Sequence, residues 1–93
     1  MKVSEFTGSF AGDKDAAAVI RDEYIRPALD RQQEVVIDFD RVDLATQSFI
    51  HALVAAIIRE DPSRLDLISF KNCNSSIQSL IEIVAEYAQD EFE

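Results

Sequence analysis

Glu34-Val35-Val36-Ile37-Asp38-Phe39 is the stretch that decides how this chain folds. Val35, Val36 and Ile37 are consecutive and β-branched, which favours a strand. A run that is apolar on both faces is what the interior of a helix-covered sheet demands. The segments on either side read as helices and strands arranged around it.

Toward the C-terminus, residues 46–60 predict an amphipathic helix. Phe49, Ile50, Leu53, Val54, Ile57 and Ile58 recur at spacings that fill one contiguous stripe. The opposite face carries Ser48, His51, Ala52, Ala55 and Arg59. Asp61-Pro62-Ser63 then stops the helix. Residues 65–70 alternate as a further strand, and Asn72-Cys73-Asn74 links it to a last helix. There Ser75 and Gln78 have capping-box spacing, while Ile77, Leu80, Ile81, Val84 and Ala88 supply a buried stripe. Glu82, Glu86, Asp90, Glu91 and Glu93 make the remainder acidic, and residues 89–93 are expected to fray.

Toward the N-terminus, Asp13 is the expected N-cap of a helix that places Ala16, Ile20 and Tyr24 on one face. Pro27 either ends this helix near Arg26 or starts a short extra turn, where its missing N–H costs nothing. Residues 2–10, with Val3, Phe6 and Phe10 around the turn Thr7-Gly8-Ser9, predict a strand pair or one bent strand. The fold class is α/β in the order β(β)αβαβα: a single domain over residues 1–93, with a small, mostly parallel or mixed sheet and three main helices packed against it. Strands alternating with single helices imply parallel neighbours and right-handed crossovers.

The composition bounds the function. A chain of 93 residues, 47% of them apolar, can build one core, burying about 60–65% of its unfolded surface. With 18 acidic against 9 basic residues the net charge is −9, which excludes nucleic acid as a partner because affinity there comes from neutralised phosphates. Anionic membrane surfaces are disfavoured for the same reason. No eighteen-residue apolar run exists, and Met1-Lys2-Val3-Ser4 leads into no signal peptide. Cys73 stands alone and cannot form an internal disulfide. A reduced, cytoplasmic protein is expected.

Residues 35–49, Val-Val-Ile-Asp-Phe-Asp-Arg-Val-Asp-Leu-Ala-Thr-Gln-Ser-Phe, resemble the central segment of STAS-like domains (sulphate transporter and anti-sigma factor antagonist). Ile68-Ser69-Phe70-Lys71-Asn72, with Ile77 and Leu80-Ile81, resembles that group's third unit, and the likeness spans about residues 13–85. In the bacterial anti-sigma factor antagonists the loop reads Asp-Ser-Ser-Gly, and a partner ATPase of the serine-kinase type phosphorylates its second serine. Register from Ile37-Asp38-Phe39 places Ser48 at that position, with Thr46, Gln47 and Phe49 replacing its neighbours. The resemblance implies a bacterial regulatory module that binds another protein, such a kinase-type ATPase among the partners, with Ser48 as the phospho-acceptor.

Read from the residues themselves, Thr46, Gln47, Ser48, His51, Ala52, Ala55 and Arg59 form the candidate partner-binding surface. Small alanines let a partner approach, and His51 and Arg59 supply a polar rim. Ser48 also has a plain role as a first-turn serine, with Thr46 as N-cap. His51 is the only histidine, and no orienting acid or nucleophile elbow accompanies it, so no catalytic residue is assigned and the protein is read as not an enzyme. Asp38, Asp40 and Asp43 lack the glycine and terminal Glu of a calcium loop, and Asp38 is expected to accept amides of the following turn. No metal and no cofactor are expected. Two alternatives stand beside this reading. One is a small nucleotide- or metal-binding domain or enzyme using the acidic turn and Ser48 at the carboxyl end of the central strand. The other is a structural or oligomerising subunit, a homodimer included.

Overall fold

The computed structural model describes residues 1–90. Its elements are α1 (Ser4–Thr7), β1 (Phe10–Ala11), α2 (residues 14–30), β2 (Val35–Asp38), β3 (Leu44–Ala45) and α3 (residues 47–60), followed by a 3₁₀ helix (Pro62–Leu67), β4 (Ile68–Lys71) and α4 (Ser75–Asp90). The architecture is α/β, and every strand pair is parallel. β2 pairs with β4 from Val35–Ile68 to Asp38–Lys71, and β1 pairs with β3, Phe10 opposite Leu44 and Ala11 opposite Ala45. The strands therefore form two two-stranded sheets in place of one. Lys2 bridges Asp38 on the second edge of β2, where the Val3 N–H donates to the Asp38 carbonyl at 2.9 Å. The quoted strand is flanked on both sides.

One face of that strand is nonetheless open. Val35 and Ile37 are buried with their neighbour Ile68, whereas Val36 is 45% exposed and its register partner Ser69 also faces outward. The expectation of burial on both faces is corrected: side chains alternate along a strand, and the helices cover only the Val35–Ile37 side.

Both long helices contain a π turn, over Arg21–Ile25 in α2 and over His51–Ala55 in α3. A π turn holds one more residue than an α turn, so side chains after it lag behind their α-helical positions. In α2 the buried residues are Ala17, Ile20, Ile25 and Leu29, with a five-residue step from Ile20 to Ile25 that the wide turn accommodates. Tyr24 is displaced from the expected buried face and packs edge-to-face on Phe6 at 5.3 Å. Pro27 follows the wide turn near the start of a final α turn (Arg26–Asp30). In α3, Phe49, Ile50, Leu53, Val54, Ile57 and Ile58 are buried as the stripe demands. This helix packs against both α2 and α4, and so forms the middle of the core.

Three local expectations are also corrected. Residues 4–7 form a helical turn, not a strand, which turns Val3 into the core and tucks Phe6 against it; Gly8 at φ 69° ends the turn. The strand expected over 65–70 starts only at Ile68, because the Asp61 side chain accepts from the Ser63 N–H at 3.1 Å and opens a 3₁₀ helix through Leu67. The cap of α4 is Asn74, not Ser75: its side-chain oxygen accepts from the Ile77 N–H at 2.9 Å. The fraying expected at 89–93 falls largely on residues 91–93, outside the described residues.

Candidate functional site

The candidate surface forms where the parallel pair β1–β3 delivers two helices side by side. Ala11 lies opposite Ala45, so Lys14 and Ser48 each follow three residues beyond the same rung. The Thr46 N–H donates to the Ala11 carbonyl at 3.0 Å and ties the starts of the two helices together. Asp13 caps α2 by accepting from the Asp15 N–H at 2.8 Å. Thr46 caps α3, its hydroxyl oxygen accepting from the Phe49 N–H at 3.1 Å. Since Thr46 is the cap, Ser48 stands exposed in the first turn of α3. Two adjacent helix N-termini give this corner a local positive potential on an acidic protein.

A shallow depression here is lined by Lys14, Gln47, Ser48, His51 and Ala52. Lys14 escapes sequence reasoning because only the non-local pairing of β1 with β3 brings it to the loop. His51 is exposed, and its Nε2 lies 3.1 Å from Nη2 of the half-buried Arg59. A guanidinium has only donors, so Nε2 accepts. Ala52 is half-buried, and its carbonyl accepts from Arg21 Nη1 at 3.1 Å.

Ala55 does not belong to this surface. It is 1% exposed. An ideal α-helix places it opposite the stripe, but the π turn over His51–Ala55 rotates it toward the interior. Of the expected residues, the structure brings together Thr46, Gln47, Ser48, His51, Ala52 and Arg59, and removes Ala55.

Two large apolar side chains stand exposed on the strands that lead into the surface. Phe10 and Leu44 face each other in register, 57% and 60% exposed, at the strand ends that lead into this loop. The Phe10 ring lies over Gly12, where an added Cβ would come within 2.8 Å of it. Sequence reasoning gives this pair no role, because strand residues of this kind usually meet a cover.

The acidic turn is organised from within. Asp38 Oδ1 accepts from the Asp40 N–H and from Asn72 Nδ2, each at 2.9 Å. The Asn72 amide, followed by the Asp40 N–H, holds the Asp38 carboxyl below the ordinary aspartate value. Asn74 Nδ2 donates to the Asp43 carbonyl at 2.9 Å, which joins this turn to the start of α4. Among the described residues no three His, Cys, Asp or Glu side chains converge in a metal-binding group. Cys73 is half-buried, and burial followed by the nearby Asp38 charge pushes its thiol up, away from the reactive thiolate. Among the described residues no helix is long and apolar enough to cross a membrane.

Comparison with known proteins agrees with this architecture. The family model described as "STAS-like domain of unknown function (DUF4325)" matches residues 16–78, which run from α2 through the candidate loop to the first turn of α4. No curated protein and no solved structure matches the chain. With well over half of its length matched, this chain belongs to the family of STAS-like domains of unknown function.

Proposed function

We propose that this domain is a non-catalytic, cytoplasmic regulatory module that binds another protein through residues 45–49 and the start of α3. Its partner is an ATPase of the serine-kinase type, and phosphorylation of Ser48 switches the interaction. The observation that carries this reading is the division of labour in the first turn of α3. Thr46 supplies the cap, which leaves the exposed Ser48 hydroxyl available at the rim of the depression lined by Lys14, Gln47 and His51. A phosphate on Ser48 adds about −1.5 to −2 charges. It would meet two helix N-termini and the Lys14 ammonium, a favourable setting for an anion. The same charge would disrupt a partner seated across Gln47 and the apolar Phe10–Leu44 pair, which supplies the anchor of the unmodified complex.

The test is to mix the protein with an ATPase of the serine-kinase type that binds it and Mg-ATP, then map phosphate by mass spectrometry. Phosphate on the peptide spanning Ser48, lost in Ser48→Ala, is the expected result. An unmodified Ser48 peptide after prolonged incubation with an ATPase that binds the domain would overturn the switch.

A further inference from the structure

The C-terminal helix carries more apolar surface than its packing uses. Ile77, Ile81, Val84 and Ala88 turn α4 into the core. Leu80, Ile83 and Tyr87 form a second line at i, i+3 and i+7. Leu80 is only partly buried, Ile83 is 51% exposed and Tyr87 60%. Ser75, Ser76 and Ser79 join Leu80 and Ile83 to line a shallow groove beside this ridge. Glu82 and Glu86 are exposed and continue the line of Ser75 and Ser79 at i+7 and i+11, on the groove side of the ridge. From Asn72 to Glu93 the sequence contains no Lys or Arg.

We propose that the Leu80–Ile83–Tyr87 ridge and its serine-lined groove dock a basic amphipathic helix of a partner protein. The charge pattern selects this occupant. A second copy of the chain would set the Glu82–Glu86 row against itself, and like charges in register destabilise such a pairing. An anionic lipid surface is repelled by the same carboxylates. A helix with apolar residues at i, i+3 or i+4, and i+7 fills the ridge-and-groove relief, while its flanking Lys or Arg side chains meet Glu82 and Glu86. Serines along the groove allow its backbone to approach closely. None of these residues lies in 45–49, so the inference stands apart from the Ser48 switch.

Three fluorescent helical peptides of about 18 residues test it at an ionic strength of about 0.15 M. One carries a leucine stripe flanked by lysines, the second the same stripe flanked by glutamates, and the third the same lysines with the leucines scrambled. The expected result is that the first binds at least about tenfold more tightly than the other two. Its amide-shift perturbations should centre on Leu80, Ile83 and Tyr87. The double variant Ile83→Ser, Tyr87→Ser should weaken it about tenfold while leaving the melting temperature unchanged, both side chains being exposed. Equal binding of the two lysine peptides, or perturbations centred elsewhere, overturns the proposal. So does a dimer in sedimentation equilibrium that the double variant abolishes, which assigns the ridge to a second copy.

Discussion

Arg21 donates through Nη1 to the main-chain carbonyl of Ala52 at 3.1 Å, and this bond joins the π turns of two helices. Arg21 opens the wide turn of α2, where its own carbonyl accepts the Arg26 N–H; Ala52 lies inside the wide turn of α3. The guanidinium also grips Asp22 at 2.9 Å, Asp22 lies 3.3 Å from Arg26, and Arg26 reaches Glu60 at 2.6 Å near the end of α3. A chain of solvent-exposed charges therefore links α2 to the C-terminal end of α3.

Replacing Arg21 by Met keeps the apolar stem and removes the donor. The expected loss is about 1–2 kcal/mol, the scale of a hydrogen bond to a charged group, read from urea unfolding. The amide signals of Ser48 and His51 should shift as the wide turn of α3 relaxes. Unchanged stability with unmoved amides would show that each π turn holds itself.

Ala55 supplies a sharper test of how α3 is rotated. Ala55→Arg forces a long charged side chain into a site that is 1% exposed. The expected cost is about 3 kcal/mol or more. Ala52→Arg, at the half-buried rim of the depression, should cost well under half as much. Equal, small effects in thermal unfolding would mean that α3 turns Ala55 to solvent and contains no wide turn there.

The same residue shows where reading the sequence stops. The β-branched run of 35–37, the caps Asp13 and Thr46 and the stripe of α3 are local signals, and the structure contains all of them. A wide turn leaves a weaker trace. The five-residue step from Ile20 to Ile25 is there in the sequence, but a constant helical period assigns Tyr24 inward and Ala55 outward. Lys14 and the Phe10–Leu44 pair depend on β1 lying beside β3, a pairing across more than thirty residues of chain. No local pattern encodes it.

Asp38 makes stability depend on pH through its own turn. Its carboxyl lies below the ordinary aspartate value of 3.8, held chiefly by Asn72. A depressed folded value means that this contribution is complete above the unfolded value and is lost as pH falls through the folded one. Asn72→Gly removes the donor and keeps the backbone at ease, because Asn72 adopts φ 57°. In the variant, the Asp38 titration followed by NMR should move up toward 3.8. The variant should be less stable than the parent at neutral pH, and the gap should narrow at about pH 3. An unmoved Asp38 titration would remove Asn72 as the cause.

The start of α4 separates two neighbouring polar residues. Asn74 accepts from the Ile77 N–H and donates to the Asp43 carbonyl, so Asn74→Ala removes a helix cap and the tie to the acidic turn together. The expected loss is about 1–2 kcal/mol. Asn74→Ser restores an acceptor for Ile77 but not the donor to Asp43, and should recover roughly half of it. Ser75→Ala, at an exposed position, should change stability by less than about 0.5 kcal/mol. Chemical unfolding of the three variants decides between them. A larger loss at Ser75 than at Asn74 would return the cap to Ser75 and shift the start of α4 by one residue.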